Sequence, residues 1–155
     1  MSYASSTSVS VAKTRGELES LLRNAGASQF VSGWDSERAA IGFVLADRHI
    51  RFELPLPDPD ASRFWKTPSR GQRRTREQAM KSWEQECRSC WRTLFLTVKA
   101  KLAAIDRGIS TFEAEFLAWT VIPGTTRTVL EEIGEPLRES LRSGEAPRLL
   151  LGGGS

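Results

Sequence analysis

The sequence contains few of the residues that build disulfide scaffolds, metal sites or membrane spans. Among its 155 residues there are two cysteines and one histidine, whereas small secreted domains carry many more cysteines and a structural zinc ion needs four ligands, mostly of these two types. No run of about 18 apolar residues predicts a membrane span. The N-terminal residues also lack the basic start and hydrophobic stretch of an export signal. We therefore expect a cytoplasmic domain that has no cofactor or metal and no membrane association.

Recognisable catalytic motifs are also missing. There is no glycine-rich phosphate loop and no dinucleotide fingerprint, and His49 has no nucleophile motif beside it. Cys87 and Cys90 form a CxxC pair in mid-helix, where packing is expected, because a redox pair favours a helix N-terminus. Glu113 and Glu115 could hold a divalent cation, although acidic residues are also favourable in a first helical turn. We expect a protein that is not an enzyme, with a divalent-dependent activity at these two glutamates as the remaining alternative.

Positive charge is concentrated in the middle of the chain. The formal net charge is only +3. Residues 63–107 contain 12 basic and 4 acidic residues, whereas the segments before and after them carry net charges of −2 and −3. Because the field at a surface depends on local charge, this middle segment predicts a polyanionic partner.

The N-terminal half of the sequence predicts a helix followed by a β-meander. Thr14 and Glu17 have the spacing of a capping box, and the leucines that follow have helical spacing. Apolar residues then alternate with polar ones over residues 30–34, 39–45 and 49–54, which is typical of antiparallel strands with one solvated face. We expect the helix to cover the other face of this sheet.

The C-terminal half predicts a basic loop and further helices. Residues 63–76 show no periodicity and carry six positive charges without a negative one. A long amphipathic helix is expected over residues 76–107, a short helix after Thr111, and a last helix over residues 128–143. The fold class is therefore α+β, with one domain over residues 9–145, a flexible arm at residues 1–8 and a flexible tail at residues 146–155.

The long helix carries two stripes. Its apolar stripe spans about 100° of a helical wheel, as expected for a face that packs on a core. So long a stripe exceeds what one small domain can cover, and we therefore expect a homo-oligomer. The apolar stripe consists of Met80, Trp83, Cys87, Trp91, Leu94, Val98, Leu102 and Ile105.

Four cations form the second stripe of this helix. Lys81, Arg88, Arg92 and Lys99 are spaced over 18 residues, which is five turns, so they fall within about 40° of one another and form a row about 27 Å long. A solvent-exposed row on this scale could follow a phosphate backbone. The alternative is a surface helix whose cations pair with nearby glutamates.

The basic loop contains two aromatic residues, Phe64 and Trp65. Exposed rings among cations are typical of proteins that bind single strands, because bases stack on the rings while guanidinium groups hold phosphates. Both rings could instead fold back as anchors, since large aromatic side chains are usually buried. The predicted site consists of Arg63, Trp65, Lys66, Arg70, Arg73, Arg74, Arg76, Lys81, Arg88, Arg92 and Lys99, with Phe64 as a second stacking candidate.

Several segments together resemble a family of short phage and prophage proteins. The resemblance covers residues 9–145 and implies an accessory phage protein that acts in DNA metabolism or interferes with a host defence. It assigns no residue a role. We expect a phage-type protein that binds single-stranded DNA or RNA with little sequence preference; the alternative is an inhibitor of host defence that binds a host protein or a phosphorylated nucleotide. The segments are residues 11–22, FVSGW at 30–34, RHIRFELPLPD at 48–58, CWR at 90–92, VKAKL at 98–102 and GISTFEAEFL at 108–117.

Overall fold

The computed structural model describes residues 7–147. It confirms the α+β class, with one three-stranded antiparallel sheet and one long helix. Residues 1–6 and 148–155, which include most of the predicted arm and tail, lie outside the described residues. The elements are α1 (Val11–Asn24), β1 (Gln29–Trp34), β2 (Arg38–Leu45), β3 (Arg48–Pro55), α2 (Ser62–Trp65), α3 (Arg76–Asp106), α4 (Phe112–Phe116), a 3₁₀ turn (Leu117–Trp119) and α5 (Val129–Ser143).

Helix α1 begins earlier than the sequence predicted. Ser10 is its N-cap, and the Ser10 hydroxyl accepts a hydrogen bond from the Lys13 backbone N–H at 3.1 Å. Thr14, the predicted cap, is instead fully buried inside the helix. The earlier start lets Val11 pack against the core. Thr7, within the predicted arm, is also buried, and its carbonyl accepts a hydrogen bond from Gln85 Nε2 at 2.8 Å.

The sheet is a meander in the order β1-β2-β3. Ala46 and Asp47 join β2 to β3 with φ angles of 51° and 59°, as a two-residue hairpin turn requires. In this register Phe43 lies opposite Ile50, and both side chains point into the core. Because successive side chains of a strand point to opposite faces, the position of this turn determines which side chains of β2 and β3 point into the core.

The core lies between the inward face of the sheet and the helices α1, α3 and α4. Leu18 and Leu22 of α1 are completely buried in it. Phe116 of α4 is also completely buried, and its ring contacts those of Phe43 and Phe52 edge-on, with centroids 6.0 and 6.1 Å away. These aromatic contacts fix the C-terminal segment to the sheet.

Helix α3 is capped by a reciprocal pair in which Thr75 and Gln78 each accept from the backbone N–H of the other. Cys87, Trp91 and Val98 of the predicted apolar stripe are buried. Helix α1 and the sheet thus cover much of that stripe within one chain, so the stripe does not by itself require a second copy. Within residues 7–147 no helix has the length and apolarity to cross a membrane.

Helix α5 occupies the predicted position, with Thr128 and Glu131 forming its capping box. It contacts the rest of the fold mainly through the 3₁₀ turn. Leu130, Leu137 and Leu141 remain 43%, 42% and 78% exposed. The exposed large apolar side chains of this half of the chain therefore lie on α5 and at Ile109 and Leu117, and not on α3.

Candidate nucleic-acid interface

The predicted basic loop is an ordered structure. Its first residues form α2, and residues 66–76, called here the basic turn, fold back so that Lys66 pairs with Arg73 in an antiparallel bridge. The Thr67 N–H donates to the Gln72 carbonyl at 2.8 Å, and the Gly71 N–H donates to the Thr67 carbonyl at 3.0 Å. Gly71 has a φ of 61°, which a glycine adopts readily. The expected exposed loop is therefore confirmed over residues 66–75, which contain turns and one bridge but no helix or strand, and is wrong for residues 63–65, which belong to α2.

The basic turn presents four cations to solvent. Lys66, Arg70, Arg73 and Arg76 are all exposed, and within residues 7–147 none of the four forms an ion pair. Arg74 is half-buried behind them, and its Nη1 donates to the Phe64 carbonyl at 3.5 Å. Four like charges on one short turn make a local positive field that the fold itself does not neutralise.

The two aromatic residues beside the turn serve as anchors. Phe64 is only 3% exposed, so the prediction that its ring stacks on bases is wrong. Trp65 is half-buried, and its indole N–H donates to the Pro59 carbonyl at 2.9 Å. The guanidinium of Arg63 lies 4.7 Å from the centre of the Phe64 ring and 3.8 Å from a Glu86 carboxylate oxygen. This cluster fixes the turn to α3 and leaves little ring surface for a base.

The cationic row on α3 is interrupted in its middle. The side chain of Arg92 is 12% exposed, forms an ion pair with Glu17 of α1, and lies with its guanidinium 4.5 Å from the centre of the Phe95 ring. The prediction of four solvent-facing cations is therefore wrong at Arg92, because α1 packs on α3 at this point. A helical wheel contains no information about neighbouring helices.

The other three members of the row differ in their environments. Lys81 is 75% exposed and lies 3.5 Å from Glu77. Arg88 is half-buried and donates to Gln85 Oε1 at 2.6 Å. Lys99 is exposed, but it lies 23 residues beyond Arg76, or about 35 Å along the helix. The structure thus brings together the cations of the basic turn and separates Lys99 from them.

The sequence prediction missed a cavity beside the middle of α3. It has a volume of about 330 Å³ and lies between the start of α1, the end of β1 and α3. We call it the tryptophan cavity. The sequence did show that tryptophan is abundant, but it could not show that three of them converge. Its principal lining residues are Arg15, Trp34, Trp83, Cys87, Arg88 and Trp91.

The thiols at and near this cavity are protonated at neutral pH. Burial raises the pKa of Cys87 from 9.0 to about 11, and burial also raises the pKa of Cys90. Both cysteines are free. A thiol is activated when its pKa falls, so burial moves the pKa of both cysteines in the direction opposite to that of a reactive cysteine.

Glu113 and Glu115, the candidate ligands of a divalent cation, contact different partners. Glu113 lies 4.0 Å from Arg48, whereas Glu115 accepts a hydrogen bond from the Ser110 hydroxyl at 3.0 Å. In the part of the chain that the structure describes, no three His, Cys, Asp or Glu residues are grouped so that they could hold a metal ion. These contacts indicate that both glutamates stabilise the local structure around α4.

Neither protein-family models, nor curated proteins, nor solved structures match this chain. Its function is therefore inferred from the charges and cavities described above.

Proposed function

We propose that the protein is a non-enzymatic nucleic-acid-binding protein of phage type that grips the phosphate backbone with its basic turn. The observation that carries this proposal is the set of four exposed cations on the turn, none of which is paired with a carboxylate within residues 7–147. The set consists of Lys66, Arg70, Arg73 and Arg76.

A polyanion gains free energy at such a surface through the release of condensed counterions. Each Lys or Arg contact to a phosphate releases counterions and adds to an affinity that falls as salt rises. The turn is already closed by its own backbone hydrogen bonds, so binding orders little additional chain. Both effects favour association with DNA or RNA at low salt.

The turn is also held firmly by the domain. Phe64 at its base is buried, and Ala79 in the first turns of α3 is 1% exposed. Trp65 is tied to the Pro59 carbonyl. The cations of the turn are therefore held in fixed positions relative to the folded domain when a strand binds.

Little sequence preference is expected at this site. Guanidinium and ammonium groups hold phosphates, which are the same at every nucleotide, whereas sequence is read from base edges. A preference for single strands needs an accessible ring on which unpaired bases can stack. Phe64 cannot supply that ring, because it is buried.

The test compares two variants that each lose two exposed arginines. Arg70→Ala with Arg73→Ala changes the basic turn, while Arg23→Ala with Arg107→Ala changes the far ends of α1 and α3. At 50 mM salt, the first variant should bind a labelled oligonucleotide at least about tenfold more weakly than the wild type. The second should bind like the wild type. Equal losses in both variants, or no loss in the first, would contradict the proposal.

A second candidate function is the sequestration of a phosphorylated nucleotide that serves a host defence. The tryptophan cavity favours it, because aromatic walls with two arginines suit such a ligand. Both functions belong in a cytoplasm, and both agree with the resemblance to phage proteins. An acidic host protein in place of nucleic acid would give a stoichiometric complex in a pull-down and no oligonucleotide affinity.

Self-association is part of the same proposal, although its support now comes from α5. Leu137 and Leu141 lie on one side of that helix and are 42% and 78% exposed. Sedimentation velocity should show an oligomer that Leu137→Ser with Leu141→Ser dissociates. A wild-type monomer at all concentrations would contradict this part.

A further inference from the structure

The tryptophan cavity has a rigid interior and an exposed outer wall. The indole N–H of Trp83 donates to the Pro57 carbonyl at 2.7 Å, which holds that ring in place. Trp91 and Cys87, only 3% and 8% exposed, lie at the inner end. Trp34, at the end of β1, is 75% exposed. An indole left this open beside fixed aromatic walls is typical of a binding surface, because tryptophan is enriched at interfaces.

The charges around the cavity suit an anion with polar ring substituents. Arg15 and Arg88 both line it. Within the described residues Arg15 has no ion pair, and Arg88 donates only to the neutral amide oxygen of Gln85. Glu84, also on the lining, has no ion pair within residues 7–147 and could accept a hydrogen bond from an amino group. Because Cys87 is protonated at neutral pH, the inner end adds no negative charge.

Size limits the ligand to one ring system and its immediate substituents. Ligand cavities range over about 300–1,000 Å³, and this one has a volume of about 330 Å³. An extended aromatic compound or a stacked dinucleotide would therefore not fit inside it. A base stacks favourably on an indole face, and a guanidinium holds a phosphate in a bidentate manner.

We propose that the tryptophan cavity binds one nucleobase with its adjacent phosphate. The base stacks on Trp34 and Trp83, and Arg15 and Arg88 hold the phosphate. The base belongs either to a free nucleotide, which is the ligand of the second candidate function, or to an unpaired residue of a strand held on the basic turn, and this second source rests on the nucleic-acid-binding function proposed first. Arg88 lies 12 residues beyond Arg76, or about 18 Å along α3, so one strand could reach both sites. In that case the cavity supplies the preference for single strands.

The experiment measures binding by isothermal titration calorimetry with two probes, adenosine monophosphate and a single-stranded 12-nucleotide oligoadenylate. Trp34→Ala removes the exposed wall, and Arg15→Gln removes one charge. Val31→Ala is the matched control, because Val31 lies on the same strand, is 68% exposed and does not line the cavity. Circular dichroism checks that each variant is folded.

At least one probe should bind the wild type and lose about 5- to 150-fold in affinity in Trp34→Ala, the range measured when a stacking aromatic is removed. Arg15→Gln should weaken the same probe, and Val31→Ala should not. Binding of the monophosphate identifies a free nucleotide as one source, whereas binding of the oligonucleotide alone identifies a strand. If neither probe depends on Trp34, the inference is overturned.

The two proposals fail in different ways. In the first case, oligonucleotide binding depends on Arg70 and Arg73 but not on Trp34, and the monophosphate does not bind. This result would support the basic turn as the interface and overturn the nucleobase site. Binding of the monophosphate that is lost in Trp34→Ala, with no oligonucleotide binding, would support the nucleobase site and contradict the nucleic-acid-binding function proposed first.

Discussion

Replacing Arg92 with alanine should destabilise the fold by about 2–4 kcal/mol and leave nucleic-acid affinity unchanged. Arg92 lies in the row of cations that the helical wheel assigned to a phosphate backbone. In the structure its side chain is 12% exposed and is paired with Glu17 across the contact between α1 and α3. Its role is therefore to join two helices.

The magnitude follows from two contacts. A hydrogen bond to a charged group contributes about 1.5–3 kcal/mol, reduced here because Glu17 is 36% exposed. The Arg92 guanidinium lies 4.5 Å from the centre of the Phe95 ring, and such a contact contributes about 0.5–2 kcal/mol. Glu17→Gln removes the charge of the partner but keeps a neutral acceptor, and should destabilise by about 1–2 kcal/mol. The double variant should lose less than the sum, because both changes remove the same ion pair.

Urea unfolding followed by circular dichroism measures these changes, and oligonucleotide affinity is measured on the same samples at low salt. Arg107→Ala is the control, because Arg107 is exposed at the end of α3 and should change stability by less than about 0.5 kcal/mol. The reasoning is refuted if Arg92→Ala leaves stability intact and weakens oligonucleotide binding.

Two further predictions concern the core and the buried thiol. Phe116→Ala should destabilise by about 3–5 kcal/mol, because that ring is fully buried against Phe43 and Phe52. Ile109→Ala, at a side chain 77% exposed, should cost less than about 0.5 kcal/mol, and equal losses in urea unfolding would contradict this account of the core. In a Cys90→Ser background, alkylation of Cys87 in the folded protein should keep accelerating up to about pH 11, because its pKa is raised from 9.0 to about 11. In urea the rate should level off above about pH 9; the same profile in both states would show that burial does not suppress the thiolate.

The regular elements could be predicted because their signals are local. Alternation placed Ile41, Phe43 and Ile50 in the sheet, and Thr128 marked the start of α5 one residue before the helix begins. The start of α1 was misplaced because Ser10 and Thr14 are both good caps. Packing of Val11 against the core decides between them.

The site was harder to predict because exposure is a tertiary property. Sequence spacing correctly placed Arg88 and Arg92 on related faces of α3. It gave no sign that Glu17 would cover one of them, and it left open whether Phe64 stacks on bases or is buried as an anchor. Trp34 and Arg15 come from different elements, so no local pattern could join them in one cavity.

The most direct test of the central claim is the slope of log affinity against log salt for a single-stranded oligonucleotide. If Arg70 and Arg73 each hold a phosphate, replacing both with alanine should reduce that slope by about 1.4. Replacing Arg23 and Arg107 should leave the slope unchanged. The claim that the basic turn grips a phosphate backbone would be contradicted by a wild-type affinity that does not depend on salt, or by equal slopes in the wild type and the turn variant.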